Sequence, residues 1–91
     1  MSRVRIVRGH HLGREALERE VERLAAQLVA RHGGRYQWED DSLTYRHPGL
    51  EARVSCGEER LELELAFGAL ASLFKGRILR EVEDYLDAHL S

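Results

Sequence analysis

The side chains able to do acid–base, nucleophilic or metal chemistry are few, and their spacing is poor. His10 and His11 stand in tandem, while His32, His47 and His89 are scattered. A zinc site needs three or four converging ligands, which in sequence recur at short fixed spacings. The chain has no HxH or HExxH, and its single cysteine, Cys56, cannot build a thiolate cluster. The plainer reading is loop and helix-end histidines, with His32 closing a helix where a cation suits the dipole. Ser42, Ser55 and Ser72 lie in no nucleophile signature such as GxSxG. Cys56 falls on the apolar side of a strand, which predicts a buried, inert thiol. Glu62 and Glu64 could in principle share acid–base work, but they read as a solvated charge ladder facing arginines. Gly9, Gly13, Gly33, Gly34, Gly57 and Gly76 form neither GxGxxG nor a P-loop. These patterns predict no catalytic residue, no metal and no cofactor, and hence a binding or interaction module rather than an enzyme.

The elements that would position these residues follow from hydrophobic period. Val4 and Ile6 alternate with Arg3, Arg5 and Val7, a short strand. From Arg14 to His32 the period changes: Leu17, Val21, Leu24 and Leu28 make one helical face, and Gly33-Gly34 ends it. Four strands follow, carrying Tyr36 and Trp38, then Leu43 and Tyr45, then Ala52, Val54 and Cys56, then Leu61, Leu63, Leu65 and Phe67. Asp40-Asp41, Pro48-Gly49 and Gly57-Glu58 are the turns between them. The C-terminal segment is helical through Phe74, Ile78, Val82, Leu86 and Leu90, with Arg77–Glu81 and Arg80–Asp84 as outward pairs. Gly76 leaves two possibilities: a kinked helix, or a separate turn over 69–74 with the main helix starting near Gly76.

The order β-α-β-β-β-β-α predicts an α+β domain spanning residues 1–91. Its five-stranded antiparallel sheet has one wet face, and two helices cover the other. Pairing the first strand with the fifth sets Arg3 and Arg5 beside Glu62 and Glu64, and Arg53 extends the ladder, which favours the strand order 2-3-4-5-1.

Composition excludes several classes. With 33% charged and 43% apolar residues the chain is globular rather than disordered. A net charge of −2 argues against a general nucleic-acid binder, although four arginines and two histidines crowd residues 3–14 without an acidic residue. No segment reads as a secretory signal or a membrane span, and a lone cysteine suits a reducing compartment, so the expectation is a cytoplasmic protein. A core this thin would gain from a second copy or a ligand.

Two apolar features are candidate sites. Tyr36, Trp38 and Tyr45 share the inner side of two strands, where they either close the end of the core or line a ligand pocket. The stretch from Phe67 to Phe74 holds more apolar residues than one helix face buries. Phe67, Leu70, Leu73 and Phe74 are therefore a candidate hydrophobic surface for a partner, a second copy or an apolar anchor. The competing reading tucks Leu73 inward.

The ordered set of segments carries a resemblance. An N-terminal basic strand ends in His10-His11-Leu12-Gly13, and a helix follows with Leu24-Ala25. Next come Tyr36-Gln37-Trp38-Glu39 and Leu61-Glu62-Leu63-Glu64-Leu65, then Leu73-Phe74-Lys75-Gly76 ahead of Glu81-Val82-Glu83. Over essentially its whole length the chain resembles the bacterial polyhydroxyalkanoic acid system family, also called polyhydroxyalkanoate granule region proteins. The resemblance implies an accessory protein associated with the polyhydroxyalkanoate granule surface or its proteins, and it carries over no catalytic residue. Arg77 follows Gly76 where other members of the family it resembles often have Pro, which weakens a fixed break there. The element order is also similar to a reduced helix-grip domain, for which a small acyl-type ligand is the alternative expectation.

Overall fold

The computed structural model describes residues 2–69 and 71–90. Strand β1 (Ser2–Gly9) leads into helix α1 (Arg14–His32), then β2 (Arg35–Glu39), β3 (Ser42–His47), β4 (Leu50–Cys56) and β5 (Arg60–Phe67). A single 3-10 turn (Ala71–Phe74) then runs directly into α2 (Lys75–His89). The sheet is antiparallel in the order β1-β5-β4-β3-β2, the order that the arginine–glutamate ladder predicts.

Period-two alternation decides which side of the sheet is dry. Register places Ile6, Leu63, Val54, Leu43 and Trp38 in one row across all the strands, and Val4, Leu65, Ala52, Tyr45 and Tyr36 in the next. The buried side chains of α1, namely Leu17, Val21, Leu24, Ala25 and Leu28, pack on these rows together with Ile78, Val82 and Leu86 of α2. On the wet side Arg5, Glu64, Arg53, Thr44 and Gln37 form the matching row. The ion pair itself runs diagonally, from Arg5 to Glu62 at 3.1 Å. Both side chains are largely solvated, so the pair sets register more than it adds stability.

Period two also brings Arg8 to the dry side, where it meets Glu83 at 3.5 Å and Asp87 at 3.7 Å. This pins the end of β1 beneath α2 and divides the N-terminal run of arginines between separate partners. α2 starts at Lys75, so the separate-turn alternative is correct. Gly76 sits in the first helical turn with open space around it. The Gly33-Gly34 stop after α1 is sterically required at its second residue. Gly34 has φ 90°, and a Cβ there would come within 2.5 Å of the Arg46 carbonyl oxygen.

Neither expected surface pair of α2, Arg77–Glu81 or Arg80–Asp84, forms among the ion pairs of the described residues. Glu81 does not reach out to Arg77. It turns instead toward α1, accepting from Gln27 Nε2 at 2.9 Å, bonding His32 Nε2 at 3.0 Å and lying 3.7 Å from Arg31 Nε. Three partners on a neighbouring helix outweigh one solvated partner on its own, because the site is partly desolvated. His32 therefore serves as a helix–helix link. Burial alone would raise the Glu81 pKa, but the hydrogen bonds from Gln27 and His32 and the charges of His32 and Arg31 prevail and hold it below its usual 4.5. A carboxyl lowered in the folded state stabilises the fold above its unfolded pKa, and that contribution is lost as pH falls through the lower folded value. Glu81→Ala should therefore lose about 1–3 kcal/mol at neutral pH. The gap from wild type should narrow as pH drops below 4.5. Urea denaturation of both proteins across that range measures it.

Candidate functional site

The open end of the helix–sheet sandwich, at the start of β4 and the start of α2, is where apolar side chains reach the surface. Two glycines place it. Gly49, at φ 84° in the Pro48-Gly49 turn, offers its carbonyl to the Gly68 N–H at 2.7 Å, and a Cβ on Gly68 would press within 3.4 Å of that same oxygen. The Gly68 carbonyl in turn accepts from Ser72 N at 3.0 Å and Ser72 Oγ at 2.9 Å. The β3–β4 turn and the 3-10 turn are thereby tied together, and the chain swings across the end of the sheet instead of over its face. Lys75 Nζ then donates to Ser2 Oγ at 2.6 Å and fixes the first turn of α2 to β1.

The result is a groove of about 430 Å³. Its lining comes from Tyr45, His47, Pro48 and Leu50 of β3, the following turn and β4, from Ala71 and Phe74 of the 3-10 turn, from Arg77 and Ile78 of α2, and from His32 at the end of α1. The Tyr45 ring is buried, and its hydroxyl donates to the Gly33 carbonyl at 2.6 Å. Burial, aided by the charge of Glu81, raises its pKa. Leu73, next to Phe74 in the 3-10 turn, is 78% exposed, and Phe74, which lines the groove, is 54% exposed. Leu73 is thus not tucked inward. α2 has no acidic residue in its first turn, while Lys75 and Arg77 stand there. That arrangement works against the helix dipole and gives the apolar lip a cationic border.

The expected surface set is corrected at one member. Phe67 is 1% exposed and lies in the core, because it continues the inward alternation of Leu61, Leu63 and Leu65. Leu70 lies outside the described residues. Leu73 and Phe74 remain. The aromatic trio shares the dry face, with Tyr36 directly across from Tyr45, but of Tyr36, Trp38 and Tyr45 only Tyr45 borders the groove. Trp38 sits at the margin of the core and donates from Nε1 to Glu22 at 2.7 Å, while Tyr36 is half-buried opposite Tyr45. The core-closing reading of this trio is the one the geometry favours.

The remaining reactive groups have structural duties. His10 lies in the loop after β1, as expected, but it is a buried clamp. Its Nε2 bonds the Gly57 carbonyl at 3.0 Å, and its Nδ1 accepts from Leu12 N at 3.2 Å, joining the β1 exit to the β4–β5 hairpin. Nothing local in the sequence signals this, since Gly57 is remote along the chain. Among the described residues, no group of three or more His, Cys, Asp and Glu side chains converges as metal ligands would. Nor is any helix there long and apolar enough to cross a membrane.

Cys56 is 2% exposed. Burial pushes its thiol pKa up to about 11, with the charges of Glu18 and Asp41 adding to the rise and Arg14 opposing it. The thiolate is the reactive species, so a disulfide reagent at neutral pH should modify native protein only at the rate of unfolding and denatured protein at once. Rapid labelling of the native state would contradict this burial.

No curated protein and no solved structure matches the chain. The family described as "Putative polyhydroxyalkanoic acid system protein" matches residues 4–90. That span takes in all but the first two residues of β1, the other four strands and both helices, and the chain belongs to this polyhydroxyalkanoic acid system family.

Proposed function

We propose that the protein is a non-catalytic accessory module that docks on the apolar surface of polyhydroxyalkanoate granules through the lip formed by Leu73 and Phe74. The observation that carries this reading is the exposure of two large apolar side chains, adjacent in sequence, of which Phe74 lines a groove together with the buried Tyr45, Leu50 and Ile78. A small domain exposes such a pair at the cost of solubility, and contiguous apolar patches mark sites of association. A polyester surface presents methylene and methyl groups with ester carbonyls among them. Leu73 and Phe74 can bury against the former, while Arg77 and Arg80, both exposed, remain hydrated at the border and can donate to the latter. The family membership supplies the polyester context. The place of action on this reading is the cytoplasmic granule.

A second reading uses the same groove. Tyr45, Leu50, Phe74 and Ile78 enclose enough apolar volume for a short acyl chain, and Arg77 and His32 stand where a carboxylate head would sit. Amide shifts of Leu50 and Ile78 on titration with soluble 3-hydroxyacyl compounds would favour this ligand. Unchanged spectra across the series would remove it.

Co-sedimentation with polyhydroxyalkanoate granules stripped of their own proteins tests the docking reading. The wild-type protein should pellet saturably. The double variant Leu73→Glu/Phe74→Glu should stay in the supernatant while keeping its circular dichroism spectrum, because both positions are solvent-facing. Burying these two side chains is worth on the order of 3 kcal/mol, or about a hundredfold in affinity. Equal pelleting of variant and wild type would refute the lip, and a wild-type protein that stays soluble would refute surface docking.

A further inference from the structure

β1 and β2 are the free edges of the sheet. A free edge presents unpaired N–H and C=O groups, and proteins protect such edges with repelling charge unless another strand completes them. β1 is protected in this way: Arg3, Arg5 and Arg8 lie along it without one acidic residue. Arg5 and Arg8 already hold Glu62, Glu83 and Asp87, and β1 itself offers no carboxylate to face the arginines of a second copy. β2 differs. It reads Arg35-Tyr36-Gln37-Trp38-Glu39, with opposite charges placed symmetrically about Gln37.

An antiparallel copy of β2 centred on Gln37 sets Arg35 opposite the partner's Glu39, and by the same two-fold symmetry Glu39 opposite the partner's Arg35. Gln37 then faces itself on the axis, and on the dry side Tyr36 meets the partner's Trp38. Each contact improves on the single chain. Arg35 and Glu39 have no ion-pair partner among the described residues, and Arg35 lies directly across from Arg46, whose charge Glu51 already meets at 3.2 Å. Tyr36 and Trp38 are both left half-buried at the open edge. Moving the register by two residues in either direction loses both charge pairs and shortens the overlap. Only the Gln37-centred register pairs the whole strand.

We infer that β2 is the interface of an isologous homodimer, in which two copies of the chain share one continuous antiparallel sheet. The two-fold axis passes through Gln37 perpendicular to the sheet. Both helical layers then lie on the same side, with the two grooves at opposite ends of the shared sheet. The inference does not depend on what the groove binds.

Sedimentation equilibrium of the full chain tests it. Wild-type protein should sediment at twice the 10.5 kDa of one chain. Arg35→Glu alone and Glu39→Arg alone should each sediment as monomers, since each sets like charges face to face at both ends of the strand pair. An equimolar mixture of the two variants should recover the dimer, because every facing pair is then opposite in sign. Gln37→Lys, at an exposed position on the axis, should shift the protein toward monomer and keeps the test open if a charge reversal disturbs folding. A monomeric wild type, single variants that remain dimeric, or a mixture that stays monomeric would each overturn the interface.

Discussion

Every strand of this chain carries most of its apolar residues on one side, and a sheet built from such strands must have that side covered. Two helices are all the chain supplies for the task. α1 lies over β2, β3 and β4, while α2 crosses beside it and holds β1 through Arg8. The helices are joined by Glu81, a carboxylate that finds Gln27, His32 and Arg31 on the other helix. The cost of partly burying a charge is offset by that set of donors, and the link fixes how the two helices sit relative to the sheet.

Coverage by two helices is incomplete at one end. The chain must return from β5 to α2, and the Gly49–Gly68 contact holds that return close across the mouth of the sandwich. A 3-10 turn has too few residues to bury all of its apolar side chains, so Leu73 and Phe74 face water. The site is thus a consequence of topology: the last connection crosses the place where the core has no helix above it. Its cationic border arises in the same way, from basic residues in the first turn of α2, where acidic ones would have been the stabilising choice.

Much of the architecture was legible because it rests on period and charge. The alternation of Val4 and Ile6, and of Leu61, Leu63 and Leu65, identifies the strands. The arginine–glutamate complementarity of β1 and β5 gives the sheet order. The same alternation carried one step further would have placed Phe67 inside. Counting apolar residues from 67 to 74 as a single patch overlooked that the period changes at Gly68. Tyr36, Trp38 and Tyr45 share a face as their spacing indicates, but a shared face is not a shared cavity, and only Tyr45 reaches the groove. Glu81, His32 and His10 were not legible in their true roles. Their partners come from elements distant in sequence, and local helical spacing points to Arg77, a partner that tertiary structure replaces.

The central claim is that the end of the sandwich, and no other surface, meets the polyester. Hydrogen exchange on the free protein and on protein bound to stripped polyester particles measures this directly. The account predicts added protection confined to the 3-10 turn, the first turn of α2 and the β3–β4 turn, with the amides of β1 and of the wet face of the sheet unchanged. Protection that instead appears along the wet face, or bound protein that exchanges as the free protein does at residues 71–78, would contradict it.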